Sequence, residues 1–385
     1  MKKSEIKNEL DQLRWDYDLI YQKIWTQKKK KNPDQKKIQE LEGQLFGLKQ
    51  KIFALDTEQR FGQRTVHELQ RTPQTQEFVP TKEYLESMPD LQNSGFIGTP
   101  IDFVGIEGIQ IPINIKQKGG GYQEVICDIT GTVSLDAHKR GINMSRILRS
   151  LQKESNKVIT FDINSLEQVL KAYQKDLESF DAHILMNFQY RIWQPSLRSV
   201  NDENQKEGGW QYYNVTFDTN LDITGEFKKI LWVDYVYSSA CPCSTELSLH
   251  AAECRGVFAI PHSQRSVARI GMEMGNTIVW IEDVIEKCQK AIPTEVQVFV
   301  KREDEQAFAE LNGANTIFVE DAVRKLANIL EDDSKILDFK IMCSHRESLH
   351  HHNAVSVITR GRHRLDKPSI FNHHVTLEEW KSLNV

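Results

Sequence analysis

The chain has 385 residues, 39% of them hydrophobic, enough to build one large core or two ordinary ones. Its 49 Lys plus Arg against 54 Asp plus Glu leave a net charge of -5, which argues against a dedicated nucleic-acid binder and leaves room for a local basic pocket. No apolar run approaches the roughly 20 residues needed to cross a bilayer, the start Met1-Lys2-Lys3-Ser4-Glu5 lacks an apolar signal core, and the six cysteines are too scattered for a disulfide framework, so the expectation is a cytoplasmic protein with reduced thiols, no membrane and no nucleic acid.

Apolar residues at Ile6, Leu10, Leu13, Tyr17, Ile20 and Ile24 alternate four and three apart, a heptad seam on a helix. A basic break over 28–33, where Asn32-Pro33 cannot continue a helix, precedes the same spacing at Ile38, Leu41, Leu45, Leu48, Ile52 and Leu55. The two segments predict an antiparallel helical hairpin, read either as an oligomerisation or partner-binding arm or as a cap packed on its own catalytic domain. The four lysines at 28–31 read as a solvated turn. From 59 to 87 the pattern fades into a polar, proline-punctuated linker, which predicts a helical segment over 1–87 and a second domain over 88–385.

Beyond Met88 the texture turns to strands. Residues 103–115 run into the Gly119-Gly120-Gly121 turn of a hairpin, and Val125, Cys127, Ile129, Gly131, Val133 and Leu135 alternate with polar residues on a strand with one buried face. Helices are predicted over 145–153 and 166–177. Long strands over 183–193 and 210–222 flank a polar stretch, 194–209, that reads as an inserted loop. A strand over 230–238, a helical stripe through Ile278, Ile281, Ile285 and Cys288, a strand over 295–300, a helix over 317–330 and strands over 336–342 and 354–359 complete the chain. Strands, helices and strands follow one another about twice, which predicts an α+β class with an antiparallel sheet and helices on one face.

The chemistry concentrates in a few stretches. Cys241-Pro242-Cys243-Ser244 follows the strand over 230–238; thiols separated by one residue do not chelate one metal as a two-residue spacer allows, and buried small hydrophobes are the alternative reading. Pro261-His262-Ser263-Gln264-Arg265-Ser266, Lys301-Arg302-Glu303-Asp304-Glu305 and Val319-Glu320-Asp321 are each weak alone. The run His350-His351-His352 answers no need of burial or solubility, and strand alternation puts His350 and His352 on one side. Cys, His and Glu together suit zinc, manganese or iron(II), which would make hydroxide available near neutral pH while neighbouring histidines move protons.

Several landmarks occur together: the Met88-Pro89-Asp90-Leu91-Gln92-Asn93 opening, Gly141 through Met144-Ser145-Arg146, Ser-x-Cys-Pro-Cys-Ser, His-x-Gln-Arg-Ser, Lys-Arg-x-Asp-Glu, Val-Glu-Asp and Glu-Ser-Leu-His-x-His. In that conjunction, over nearly all of 88–385, the sequence resembles the type IB GTP cyclohydrolases, bacterial enzymes related to the archaeal metal-dependent GTP cyclohydrolase. The resemblance implies a tunnelling fold of tandem antiparallel-sheet and helix units, here preceded by a helical hairpin, in a homo-oligomer, a homotetramer, with active sites at subunit interfaces. It implies a divalent metal held by Cys241, His262, Glu305 and Glu347. Cys241, Cys243, His350 and His352 fall on catalytic positions, Glu320 on the residue that grips the guanine edge, and Arg146 and Arg265 on contacts for the triphosphate of GTP, with Lys139, Arg140 and Arg302 as looser candidates.

Two departures stand out. The interval from the CPC cysteine to the HxQRS histidine is longer than in the family and brings in His250, a competitor of His262, and Cys254. The helical arm and the 194–209 stretch are not required by the family core. The implied reaction is hydrolysis of GTP to 7,8-dihydroneopterin triphosphate and formate, the first step of tetrahydrofolate biosynthesis. The alternatives are the archaeal-type reaction ending in a cyclic phosphate, a cysteine-dependent nitrile reductase of the same fold, and a non-enzymatic metal-binding assembly protein.

Overall fold

The computed structural model describes residues 3–28, 30, 34–61, 80–88, 98–152, 159–361, 371 and 376. Chain contacts divide it into two compact units: Met1–Asp102 with Ser134–Asn143, and Phe103–Val133 with Met144–Val385. Among the described residues no helix is long and apolar enough to cross a membrane.

In the first unit, α1 (Lys3–Lys28) and α2 (Gln35–Phe61) carry the two heptad seams. Ile6, Leu10 and Tyr17 of α1 are buried with Ile52 of α2, and Leu13, Leu45, Leu48 and Leu55 pack against them. Lys28 at the end of α1 reaches Glu42 near the start of α2 at 2.8 Å, so the helices run antiparallel. The seam is the part of each helix that leaves water, because a 3.5-residue repeat keeps one stripe facing its neighbour. A short helix, α3 (Lys82–Ser87), is capped by Thr81, whose side chain accepts the Tyr84 amide. The 62–79 part of the expected linker and the Pro89 to Asn93 part of the opening motif lie outside the described residues.

The second unit is built on a sheet of nine strands in the order β3-β1-β2-β4-β5-β6-β7-β8-β9. Chain order gives β1 (Ile101–Lys116), β2 (Tyr122–Leu135), α4 (Ser145–Gln152), β3 (Ile159–Phe161), α5 (Leu166–Leu177), β4 (Ala182–Val200) and β5 (Lys206–Leu221). It continues with β6 (Phe227–Ala240), α6 (Pro242–Arg255), β7 (Ser263–Met274), α7 (Ile281–Ala291), α8 (Arg302–Ala314), α9 (Val319–Glu331), β8 (Ile336–His345) and β9 (Ala354–Gly361). The order of hairpin, helices and hairpin occurs twice. Pairing is antiparallel from β2 through β9, and the short β3 lies parallel to β1. The apolar stripes of α5, α7 and α9 bury Leu166, Leu170 and Tyr173, Val284, Ile285 and Cys288, and Ala322, Leu326 and Leu330.

Two expectations need correction. The 194–209 stretch is not a loop: β4 and β5 extend through it as a hairpin with its turn at 201–205, and a bulge between Pro195 and Val200 accommodates the proline. Residues 295–300 are not a strand. Only the 294–296 segment bonds to β6, through Ser238 N–H to Thr294 O at 2.7 Å, Val296 N–H to Val236 O at 3.2 Å and the Tyr237–Glu295 bridge, because the rest turns away into α8. The CPC and KRxDE motifs each open a helix, α6 and α8, to which the sequence reading assigns no element.

Candidate active site

Three of the singled-out residues emerge at one end of neighbouring strands. Ala240, the last residue of β6, pairs with Ser263, the first of β7, so Cys241 and His262 flank the same rung; the Cys241 amide donates to the His262 carbonyl at 3.1 Å. β8 ends beside them, with His345 opposite Ser266, and delivers Glu347 two residues on. Glu347 Oε2 stands 3.5 Å from His262 Nδ1, with side chains 12% and 20% exposed, which makes this a sheltered pair rather than a solvated one.

Pro242 divides the two thiols. It occupies the first position of α6, where its missing N–H costs no hydrogen bond, so Cys241 becomes the extended residue before the helix (φ -71, ψ 122) and Cys243 lies on the first helical turn. Cys241 is half-buried and Cys243 exposed. α6 ends at Gly256, whose φ of 63 allows the chain to reverse, and the following residues return to His262. Of the two competing histidines, His262 is the one that meets Glu347. His250 pairs with Cys254 one helical turn away, Nε2 to Sγ 3.5 Å.

Glu305 follows the helix-anchoring Asp304 on α8. Asp304 is fully buried and accepts the backbone amides of Arg198, Ser199 and Lys301 at 2.7, 3.0 and 2.9 Å as well as the Ser199 hydroxyl. Burial alone would raise its pKa, but these donors outweigh it and hold the carboxyl well below its ordinary value. Thus fixed, α8 presents Glu305 to a cavity of about 400 Å³ that Gln264, Arg265, Gln297 and Phe308 also line. The cavity wall is tied to the β4 extension: Gln194 donates to Glu295 at 2.9 Å and to the Val296 carbonyl at 3.0 Å, and accepts the Val298 amide at 3.0 Å.

Glu320 is exposed in the first turn of α9, and the chain just before that helix is fastened to the site by the Ile317 amide donating to the Ala240 carbonyl at 3.0 Å, one residue from Cys241. His350 and His352 lie in the bend between β8 and β9, not on a strand, yet their rings stack at 4.8 Å with an 9° interplanar angle. Arg146 stands apart: on α4 it donates to the Asp176 carbonyl and lines a different cavity, of about 350 Å³, with Arg149 and Lys175. Arg302 is exposed at the start of α8, and Lys139 and Arg140 belong to the first unit.

Sequence reading missed the groups behind His262. Gln264, which entered only as part of a motif, faces the His262 ring at 3.2 Å. Tyr237 and His345 are buried opposite Ser266 on its two neighbouring strands, hydroxyl to Nε2 2.9 Å; burial lowers the His345 pKa to about 4. The signal of Tyr237 in the sequence is strand alternation, which marks it as core, whereas His345 belongs to the motif-bearing run 344–352.

Among the described residues, no three His, Cys, Asp or Glu side chains converge as they stand on one ion position. The donors at the β6, β7 and β8 ends nevertheless fit a divalent ion by chemistry: a thiol, an imidazole and a carboxylate are the set that zinc, manganese or iron(II) accepts.

Residues 88–356 match the family described as type I GTP cyclohydrolase folE2. The chain is similar to the proteins named GTP cyclohydrolase FolE2 from Roseobacter denitrificans (50% identical over 300 residues, 75% of this chain and 79% of the relative) and Dinoroseobacter shibae (47% over 294 residues, 74% and 78%). That of Paracoccus denitrificans is 47% identical over 303 residues, covering 77% of this chain and 92% of the relative. Among solved structures, the uricase from Arthrobacter globiformis overlaps at a TM-score of 0.43 with 8% identity, over 70% of this chain and 96% of that one, a likeness too slight to assign a fold. The match takes in β1 to β8, the start of β9 and every one of the site residues, from Arg146 to His352, and on that extent and identity the chain belongs to the type I GTP cyclohydrolase FolE2 family.

Proposed function

We infer that this protein is a type IB GTP cyclohydrolase, a hydrolase that converts GTP to 7,8-dihydroneopterin triphosphate and formate in folate biosynthesis. The observation that carries the reading is the placement of Cys241, His262 and Glu347 at the same end of β6, β7 and β8, with His262 and Glu347 in side-chain contact, in a chain of this family. Cys241, His262 and Glu347 would hold the divalent ion, with Glu305 as the further carboxylate from α8. When bound, that ion supplies Lewis acidity and a strong oxygen nucleophile near neutral pH.

The remaining work falls to the side chains around it. Glu320 accepts the N1–H and N2–H of guanine, two parallel charge-assisted bonds that orient C8 for hydrolysis. Arg265, beside Glu305, takes the triphosphate, and Arg146, which lines a separate cavity of the chain, joins it from a neighbouring subunit in an assembly whose sites lie at interfaces. His350 and His352, with Cys243, hold and pass protons as the imidazole ring opens, formate leaves and the ribose carbons reclose as a pterin.

The tunnelling fold and a homotetramer with active sites at subunit interfaces belong to the same proposal. The twice-repeated hairpin, helices and hairpin on one sheet support the fold. The exposure of α6, which buries no residue and leaves Leu247 69%, Phe258 87% and Ile260 75% exposed around it, supports assembly, since a helix of this length draws its stability from packing. Incubating the metal-free protein with GTP and Zn(II), Mn(II) or Fe(II) in turn, without oxygen, tests the function: formate and a product with the mass of dihydroneopterin triphosphate are expected. A cyclic-phosphate product, or no consumption of GTP with any metal, defeats it.

A further inference from the structure

We propose that Gln264 is a positioning residue that fixes the ring tautomer of His262, so that Nε2 rather than Nδ1 is offered to the metal. This inference rests on the reading of His262 as a ligand. Two oxygens face Nδ1, Gln264 Oε1 at 3.2 Å and Glu347 Oε2 at 3.5 Å. The Gln264 side-chain oxygen only accepts hydrogen bonds, so the imidazole proton belongs on the nitrogen that faces it. The shorter contact comes from Gln264, whose amide orientation is set from behind. Its nitrogen donates to Ser239 Oγ at 2.8 Å, and Ser239 Oγ in turn meets Ser266 Oγ at 2.8 Å.

That support is built into the sheet. Ser239 is the register partner of Gln264 across β6 and β7, and Ser266, two residues along β7, shares its face. Ser239 and Ser266 are fully buried and Gln264 is 8% exposed, so water does not compete for these groups. Turning the amide over would set its nitrogen against Nδ1 and give up the N–H bond to Ser239 Oγ. The observed arrangement satisfies these groups together: Nδ1 carries the proton, Gln264 presents its carbonyl, and the Nε2 lone pair is left for a cation. Partners of this kind change metal affinity by about 10- to 100-fold.

The test titrates metal-free full-length protein with Zn(II) or Mn(II) against a fluorescent chelator, with thermal unfolding of each metal-free variant alongside. Gln264→Leu is expected to bind metal about 10- to 100-fold more weakly with little change in metal-free unfolding. Gln264→Glu, which keeps an acceptor for Nδ1, is expected to restore most of the affinity. Wild-type affinity in Gln264→Leu, with metal lost from His262→Ala, overturns the positioning role and leaves the ligand reading intact. Full metal binding by His262→Ala removes the ligand reading and this inference together. If Gln264→Leu does not fold, Ser239→Ala, which frees the amide to rotate without deleting its oxygen, takes its place: several-fold weaker binding supports the role and unchanged binding overturns it.

Discussion

The Asp304 carboxylate accepts the backbone amide of Arg198 at 2.7 Å, joining the first turn of α8 to the far end of β4. Through this bond and its companions from Ser199 and Lys301, the hairpin extension of β4 and β5 sets the direction of the helix that carries Glu305.

Replacing Asp304 with Ala strips three backbone donors of their acceptor and is expected to cost about 2 kcal/mol or more of stability, along with turnover, because Glu305 moves with α8. The pH dependence follows from the sign of the shift. A carboxyl whose folded pKa lies below its unfolded value of 3.8 contributes stability that is complete above that value and disappears as pH falls through the folded pKa. Chemical denaturation of wild type and Asp304→Asn at several pH values should therefore show a gap that is constant near neutrality and narrows progressively as pH falls below about 4. A gap that does not narrow in acid would refute the charged role.

Cys241 precedes α6 and Cys243 rides its first turn, so their replacement should separate. Cys241→Ala is expected to lose bound metal by elemental analysis. Cys243→Ala should retain metal and lose GTP turnover by about 100-fold or more, the scale of a misplaced proton-transfer group. Equal metal content in both variants would contradict this division.

Glu320→Ala removes a carboxylate proposed to accept two charge-assisted bonds, each worth about 1.5 to 3 kcal/mol, which predicts a fall in kcat/KM of about 100-fold or more with GTP. Metal content should be unchanged, since the chain leading into α9 is bonded to the Cys241 corner through the Ile317 backbone, which the substitution leaves in place. Undiminished turnover would take guanine recognition away from this residue.

Phe258→Asp places a charge on the most exposed apolar side chain near the site. If that surface joins subunits, light scattering after size exclusion should show a smaller particle, with activity reduced in parallel. An unchanged mass would assign the surface another role.

Much of the second unit was legible before its coordinates. The alternation from Val125 to Leu135 and the stripes of α5, α7 and α9 are local signals, set by a two-residue or 3.6-residue period, and the structure reproduces them. Both heptad seams are likewise buried or half-buried at every named position from Ile6 to Leu55. The loop reading of 194–209 fails because its polar Gln194 is buried and bonds Glu295 across the β4 extension, and the strand reading of 295–300 fails because only the 294–296 segment pairs with β6 before the chain turns into α8.

Sequence by itself determined the family, through motifs whose conjunction survives any uncertainty about their elements, and it determined which residue types the chemistry requires. Only the tertiary structure decided which of them meet. His262 rather than His250 faces Glu347, because strand register brings the start of β7 beside the end of β8, whereas α6 directs His250 toward Cys254. Gln264 gained its place for the same reason: its partners, Ser239 and Ser266, are ordinary serines in the chain and become a rigid support only when two strands pair in one register and bury them together.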